Sequence, residues 1–279
     1  MNFDTLKFGM RGHDVGNSFS EMIKNAKEYG VPNLQFALAK TVSEVKFDEV
    51  GYDSEISKEI LSSLKENNLH VSVLGCYINP IDRNEASLEA QLTRFENFIR
   101  YAKDFGATVI GTETGCLSTM EETRSEENYQ FLLKNVKRLV KVAEKEGVIM
   151  AIEPVYQFTI YSPQIMRRLL DDVGSENLKV IFDLSNLITK DNTKEQYKIL
   201  DDAFNLLGDD IYAVHIKDFK LVDDEKYFAV AGTGLYDIGY LFKKLSGLKK
   251  LPELILDEIP LANYKEAVEN IKNIIKGEN

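Results

Sequence analysis

The chain has 279 residues, 44% hydrophobic and 28% charged, which is an ordinary globular composition. No apolar run approaches the roughly 20 residues that span a bilayer, and "MNFDTLKFGM" lacks the basic patch and apolar stretch of a signal peptide. A formal net charge of −11 argues against nucleic acid or an anionic membrane as the main partner, though a local pocket of opposite sign can still take a small anion.

Short β-like runs alternate with longer helical patterns along the chain. Strands are predicted at Thr5–Met10, Asn33–Ala37, His70–Cys76, Thr108–Gly111, Val148–Ile152, Leu178–Phe182, Ile211–Ile216 and Glu253–Leu256. Amphipathic segments at Ser54–Asn67, Glu85–Phe105, Glu126–Glu146 and Lys194–Leu207 predict helices between them. In the third of these, Phe131, Val136, Leu139, Val140, Val142 and Ala143 recur at helical spacing, and Gly147 supplies a C-cap, as Gly106 does after "YAKDF". A chain of this length holds two small domains or one large one. Eight βα units without a composition break or Pro-rich linker predict one α/β domain over residues 1–279, a single closed (β/α)8 TIM barrel. The rival, an open doubly wound sheet, lacks a G-x-G-x-x-G after an early strand. The two cysteines, Cys76 and Cys116, make no disulfide framework or zinc-knuckle spacing, which fits a reducing cytoplasm.

Barrel active sites collect at the C-terminal ends of the strands, so the polar residue at each such end carries functional information. Strand five, "VIMAIEP", ends in Glu153, and strand six, "LKVIFDLSN", in Asp183. Strand seven, "IYAVHIKDF", carries His215, Lys217 and Asp218, and strand eight, "PELILDEIP", ends in Asp257 and Glu258. Alternation admits only one of that last pair facing inward; Glu258 is the one expected, because an acid before an apolar residue and proline resembles a known family's ligand position. A lone acid at a strand end is more often a helix cap or surface partner. Glu153, Asp183 and Glu258 together are harder to explain so: two carboxylates 4 Å apart repel by about 4 kcal/mol at an effective dielectric of 20. Lys217 relieves part of that repulsion; a divalent cation relieves nearly all of it. Three oxygens and the His215 imidazole suit Mn²⁺, Co²⁺, Mg²⁺ or Zn²⁺, which ligand type does not rank; Mn²⁺ is the cofactor expected first.

The pieces "GMRGHDVG", "VLGCYINP", "VIGTETG", "AIEP", "VIFDLSN", "AVHIKDF", "AGTG" and "LDEIP" span nearly the whole chain. Their order resembles the xylose-isomerase-like TIM barrels: sugar-phosphate isomerases and epimerases, the D-tagatose 3-epimerase-like branch and endonuclease IV. In the epimerase branch the resemblance implies a metal held by Glu153, Asp183, His215 and Glu258, with Glu153 and Glu258 as the catalytic acid/base pair. Where that branch commonly has D-x-x-H after strand six, this chain has Asn186, which can hydrogen-bond a substrate oxygen but carry no proton at neutral pH. Endonuclease IV uses many histidines and this chain has three, so DNA repair is not expected. With no Trp, the aromatic wall of the site falls to Phe36, Tyr77 or Tyr156.

Weaker signals surround this set. His13, in "RGHDVG", is expected either to touch a substrate hydroxyl or to bond a neighbouring strand end, and His70, at the opposite face, to be structural. Glu113, in "GTETG", is expected to bind substrate or support Glu153, and Tyr77 to line the substrate site. Lys217 shares the inward face with His215 and can hold a substrate oxygen or pair with Glu113 or Asp218. Cys76 and Cys116 read as packed thiols. Gly232 and Gly234 precede a helix where barrels often bind phosphate, but a two-glycine turn is more simply a loop. The expected enzyme is a metal-dependent isomerase or epimerase that moves a proton next to the carbonyl of a sugar, sugar phosphate or related polyhydroxy ketone, through an enediolate. A dehydratase of a related keto compound and a sugar-binding barrel without turnover are the alternatives; assembly into a homo-oligomer stays open.

Overall fold

In a computed structural model, residues 5–41 and 54–277 are described. Eight parallel strands close into a barrel: β1 (Phe8–Arg11), β2 (Asn33–Phe36), β3 (His70–Gly75), β4 (Val109–Thr112), β5 (Ile149–Ile152), β6 (Leu178–Asp183), β7 (Ile211–Ile216) and, last in the chain, β10 (Glu253–Leu256). β10 pairs with both β7 and β1, which closes the ring. Between them in sequence, β8 (Asp218–Val222) and β9 (Glu225–Ala229) form a separate antiparallel hairpin. All eight strands predicted from the apolar runs are present, with ends shifted by one to three residues where they differ at all.

The helices form where the apolar stripe and caps coincide. Glu126–Glu146 starts on Ser125, whose side chain accepts from the Asn128 N–H, and ends at Gly147 with a left-handed φ of 61°. Its stripe of Leu132, Val136, Leu139, Val140 and Ala143 is buried. The segment Glu85–Phe105 is an α-helix to Tyr101 and then a 3-10 turn, Ala102–Phe105. These stripes and the outer faces of the strands make one large core between helices and barrel.

A second, smaller cluster fills the barrel itself: Val73, Val109, Ala151, Ile181 and Ala213, each no more than 1% exposed. The inward positions are thus odd-numbered on these strands, as the period of two requires. Gly111 makes this filling feasible, since a Cβ there would stand 2.7 Å from Val73 Cγ1 and 2.8 Å from Ile181 Cδ1. Continuing the odd series past the C-terminal ends leads to Glu113, Glu153, Asp183, His215, Lys217 and Asp257. Among the described residues no helix is long and apolar enough to cross a membrane.

Candidate active site

Three of the expected ligands converge. One ligand atom from each of Glu153, Asp183 and His215 lies within 4.8 Å of the others, and all three side chains are buried. His215 Nδ1 stands 3.5 Å from Glu153 Oε1 and 3.9 Å from Asp183 Oδ2. The main chain holds Glu153 in place, its N–H donating to Thr112 O at 3.0 Å as a continuation of the ladder. Asp183 closes β6 and caps the short helix Leu184–Leu187, accepting from the Asn186 N–H at 3.2 Å.

The third acid beside His215 is Asp257, which corrects the expectation of Glu258. Asp257 Oδ2 lies 3.7 Å from His215 Nδ1 and 3.3 Å from Lys217 Nζ, with the side chain buried. Glu258 turns the other way, its backbone at φ 54° and its side chain 36% exposed, and accepts from Arg11 Nη1 at 2.9 Å. The cause is register: Ile255 faces the barrel interior, so Asp257 does as well, and the proline two residues after Glu258 does not override that alternation. Arg11 bridges the two acids, with Nε 2.8 Å from Asp257 Oδ1 and also paired to Asp14.

Lys217 and Asn186 knit the acids together. Lys217 Nζ donates to Asn186 Oδ1 at 3.1 Å and lies 3.7 Å from Asp183, while Asn186 Nδ2 donates to Glu153 Oε1 at 2.6 Å. Each end of the Asn186 amide thus makes one contact within the cluster, and the Nδ2 contact supports Glu153. Lys217 pairs with neither Glu113 nor Asp218 in these contacts. Asp218 instead accepts from four backbone N–H groups, those of Phe219, Gly232, Gly234 and Tyr236, at 2.7 to 3.0 Å. The anion held by the two-glycine turn is the protein's own carboxylate.

A residue not singled out from the sequence, Gln35, completes the frame. Its Oε1 stands 2.7 Å from His215 Nε2 and its Nε2 donates to Tyr77 OH at 2.9 Å. The available signal was an amide in the inward row of "NLQF", where Asn33 is a second amide. Tyr77 is half-buried with Lys40 Nζ 5.1 Å from its ring centroid. His13 is half-buried, and burial and Arg11 lower its pKa. His70 lies at the opposite end, its exposed ring 3.7 Å from Glu253. Of the aromatic candidates, Phe36 is fully buried against Phe19 and cannot form a wall; Tyr156 stacks under Arg124. Cys76 is buried, whereas Cys116 is exposed.

The charges bear on whether these residues fit a cation. Burial and Glu153 push the Glu113 carboxyl up to about 7, and burial outweighs Lys217 to raise Asp183 as well. Burial opposes a charge on His215, yet Glu153, Asp257 and Asp183 around it raise its pKa to about 9. Burial likewise works against Asp257 and Lys217, but their opposite-charge neighbours keep both ionised. Even so, His215 Nδ1 and Asp183 Oδ2 are buried without a hydrogen-bond partner, a state that costs about 1–3 kcal/mol per group. Ligand atoms around a divalent ion at about 2.0–2.6 Å lie about 3–4 Å from one another. The observed 3.5 to 3.9 Å spacings match that range, so the residues fit a divalent cation.

The family model described as "Xylose isomerase-like TIM barrel" matches residues 23–274. Hydroxypyruvate isomerase of Escherichia coli (strain K12) is 27% identical over 202 residues, covering 69% of this chain and 72% of that protein. Among solved structures, a D-tagatose 3-epimerase-like protein superposes with a TM-score of 0.76 at 17% identity, covering 98% of this chain and 99% of the other. A Mycobacterium smegmatis barrel in complex with magnesium gives 0.72 at 16% identity, with 99% of both chains covered. The expected resemblance thus holds over most of the sequence, and the chain belongs to the xylose isomerase-like TIM barrel family.

Proposed function

We propose that the chain is a divalent-metal-dependent isomerase or epimerase of small polyhydroxy carbonyl compounds. The observation that carries this reading is the buried convergence of Glu153, Asp183, His215 and Asp257, with His215 Nδ1 and Asp183 Oδ2 left unpartnered. These four residues would hold the cation, Mn²⁺ first; the magnesium bound by the Mycobacterium smegmatis barrel keeps Mg²⁺ beside it. Bound there, the cation supplies Lewis-acid polarisation of a carbonyl oxygen.

Glu153 accepts the proton from the carbon beside that carbonyl, its charge oriented by the Asn186 amide. The ammonium of Lys217, kept charged by Asp183 and Asp257, faces the oxygen on which negative charge accumulates. Glu113, whose carboxyl holds its proton up to about pH 7, donates a hydrogen bond to a substrate hydroxyl. Return of the proton to the other face gives epimerisation, and return to the neighbouring carbon gives isomerisation. The second acid/base duty, expected of Glu258, passes to Asp257 with the register. The similarity to hydroxypyruvate isomerase puts short hydroxy-keto acids beside ketoses among the compounds to try.

The test is Mn²⁺-dependent incorporation of solvent deuterium next to the carbonyl of such compounds. At saturating Mn²⁺, Asp183→Asn should recover exchange, while Glu153→Gln should stay about 10²–10⁴-fold down, the contribution of a general base. Equal recovery of both variants would reduce Glu153 to a ligand. Binding without exchange in any compound would leave a barrel that holds its ligand without turnover.

A further inference from the structure

The hairpin β8–β9 lies in the chain between the last two barrel strands, outside the barrel sheet. Its turn residues Asp223 and Asp224 both have positive φ, 51° and 64°, as a tight two-residue hairpin requires. Pairing of Phe219 with Phe228 and of Leu221 with Lys226 puts these four side chains on one face. Lys220, Val222, Glu225 and Tyr227 take the other face. The first face looks toward the barrel: Phe219 is fully buried, and Lys226 Nζ donates to Ser185 O at 2.7 Å and Ile188 O at 3.0 Å. Those carbonyls belong to the segment that starts at Asp183 and carries Asn186, so Lys226 fastens the hairpin to the ligand-bearing loop. Asp218 fastens its base through the four N–H groups described above.

Phe228 lies on this inner face yet is 46% exposed, and Lys217 Nζ is 4.7 Å from its ring centroid. The same ammonium is 3.1 Å from Asn186 and 3.3 Å from Asp257. An open aromatic ring therefore stands next to the charged cluster, where the acids and Lys217 provide polar contacts but no apolar surface. Partner docking would more naturally use the outer face, where Val222 and Tyr227 are exposed.

We propose that Phe228 is the aromatic wall of the substrate site. The C–H face of a polyhydroxy carbonyl compound lies on its ring while the oxygens reach Lys217 and the cluster. Apolar contact with an aromatic face, plus the direction imposed by hydrogen bonds on the opposite side, is the usual division of labour in small-molecule sites. Phe228 is then a positioning and specificity residue. This inference rests on the carbonyl-compound reading above and names the surface that selects among such compounds.

The chain contains no Trp, so Phe228→Trp introduces a single reporter. Labelled as 5-fluorotryptophan, its fluorine resonance should broaden with Mn²⁺ and not with Mg²⁺, and should shift when D-fructose, D-tagatose or hydroxypyruvate is added. Failure of Mn²⁺ to broaden it, with the carbonyl-compound shift intact, would overturn the metal reading and leave the wall standing. No shift across the panel would overturn the wall, whatever the metal does. For a compound that exchanges deuterium, Phe228→Ala should raise KM about tenfold with kcat within about twofold, and Phe228→Tyr should restore it. Tyr227→Ala, on the outer face, should change neither constant. An unchanged KM in Phe228→Ala, or an equal rise in Tyr227→Ala, would also overturn the proposal.

Discussion

Gln35 Oε1 accepts from His215 Nε2 at 2.7 Å, so a neutral His215 carries its proton on Nε2 and turns the Nδ1 lone pair toward the three acids. An oriented imidazole binds metal better than a freely rotating one, by about 10–100-fold in comparable sites. Gln35→Ala and Gln35→Met should weaken Mn²⁺ binding by that factor in titration calorimetry, and Gln35→Glu, which keeps an acceptor, should not. Affinities within twofold for all three would show that the contact does not set the ring.

The two acids at the end of β10 should separate sharply. Asp257→Asn removes a buried negative charge from the cluster and should cost Mn²⁺ affinity a hundredfold or more, given about 4 kcal/mol per unit charge pair at 4 Å and a dielectric of 20. Glu258→Gln breaks only the half-exposed pair with Arg11 and should stay within about threefold. The opposite order would restore Glu258 as the ligand.

Metal affinity should rise with pH. His215 binds a proton up to about pH 9 in the metal-free protein, and a cation on Nδ1 must displace it. Affinity therefore grows about tenfold per pH unit below 9 for one displaced proton and levels off above it; the raised pKa of Asp183 steepens the acid end. Calorimetry at pH 7 in buffers of different ionisation enthalpy should report release of about one proton or more. Affinity that is flat from pH 6 to 9 would contradict this.

Asp218 should matter for stability. Asp218→Ala leaves four backbone donors without their acceptor and should lower the unfolding free energy by about 3 kcal/mol, whereas Asp218→Asn, which keeps one acceptor oxygen, should cost less. Urea melts of the two variants check the order. Gly234→Ala should be as harmful as Asp218→Ala, since a Cβ there runs into the Asp218 carboxylate.

The barrel was legible because its strands are buried on both faces and so read as short apolar runs, and because Gly106 and Gly147 mark helix ends by their left-handed backbone. Glu153, Asp183 and His215 were legible for the same reason: a polar residue ending an apolar strand stands out. Asp257 was missed because a local proline pattern was given more weight than alternation from Ile255. Gln35 was missed because an uncharged amide, in a strand that also holds Asn33, carries no charge signal. The hairpin escaped notice because Asp-Asp is a weaker turn mark than Asn-Gly, and its charged alternation, "KLVDDEKYF", looks like solvated loop.

The side chains packed inside the barrel, Val73, Val109, Ala151, Ile181 and Ala213, make the cluster the bottom of a blind well. Among the described residues this packed layer fills the barrel axis, so a ligand that enters from the C-terminal end leaves by the same end. Lys217 and Phe228 stand on that route, and Lys226 tethers the strand that carries Phe228. Cutting the tether should therefore shorten the residence time of a bound cation even where its equilibrium affinity hardly changes, because arrival and departure quicken together.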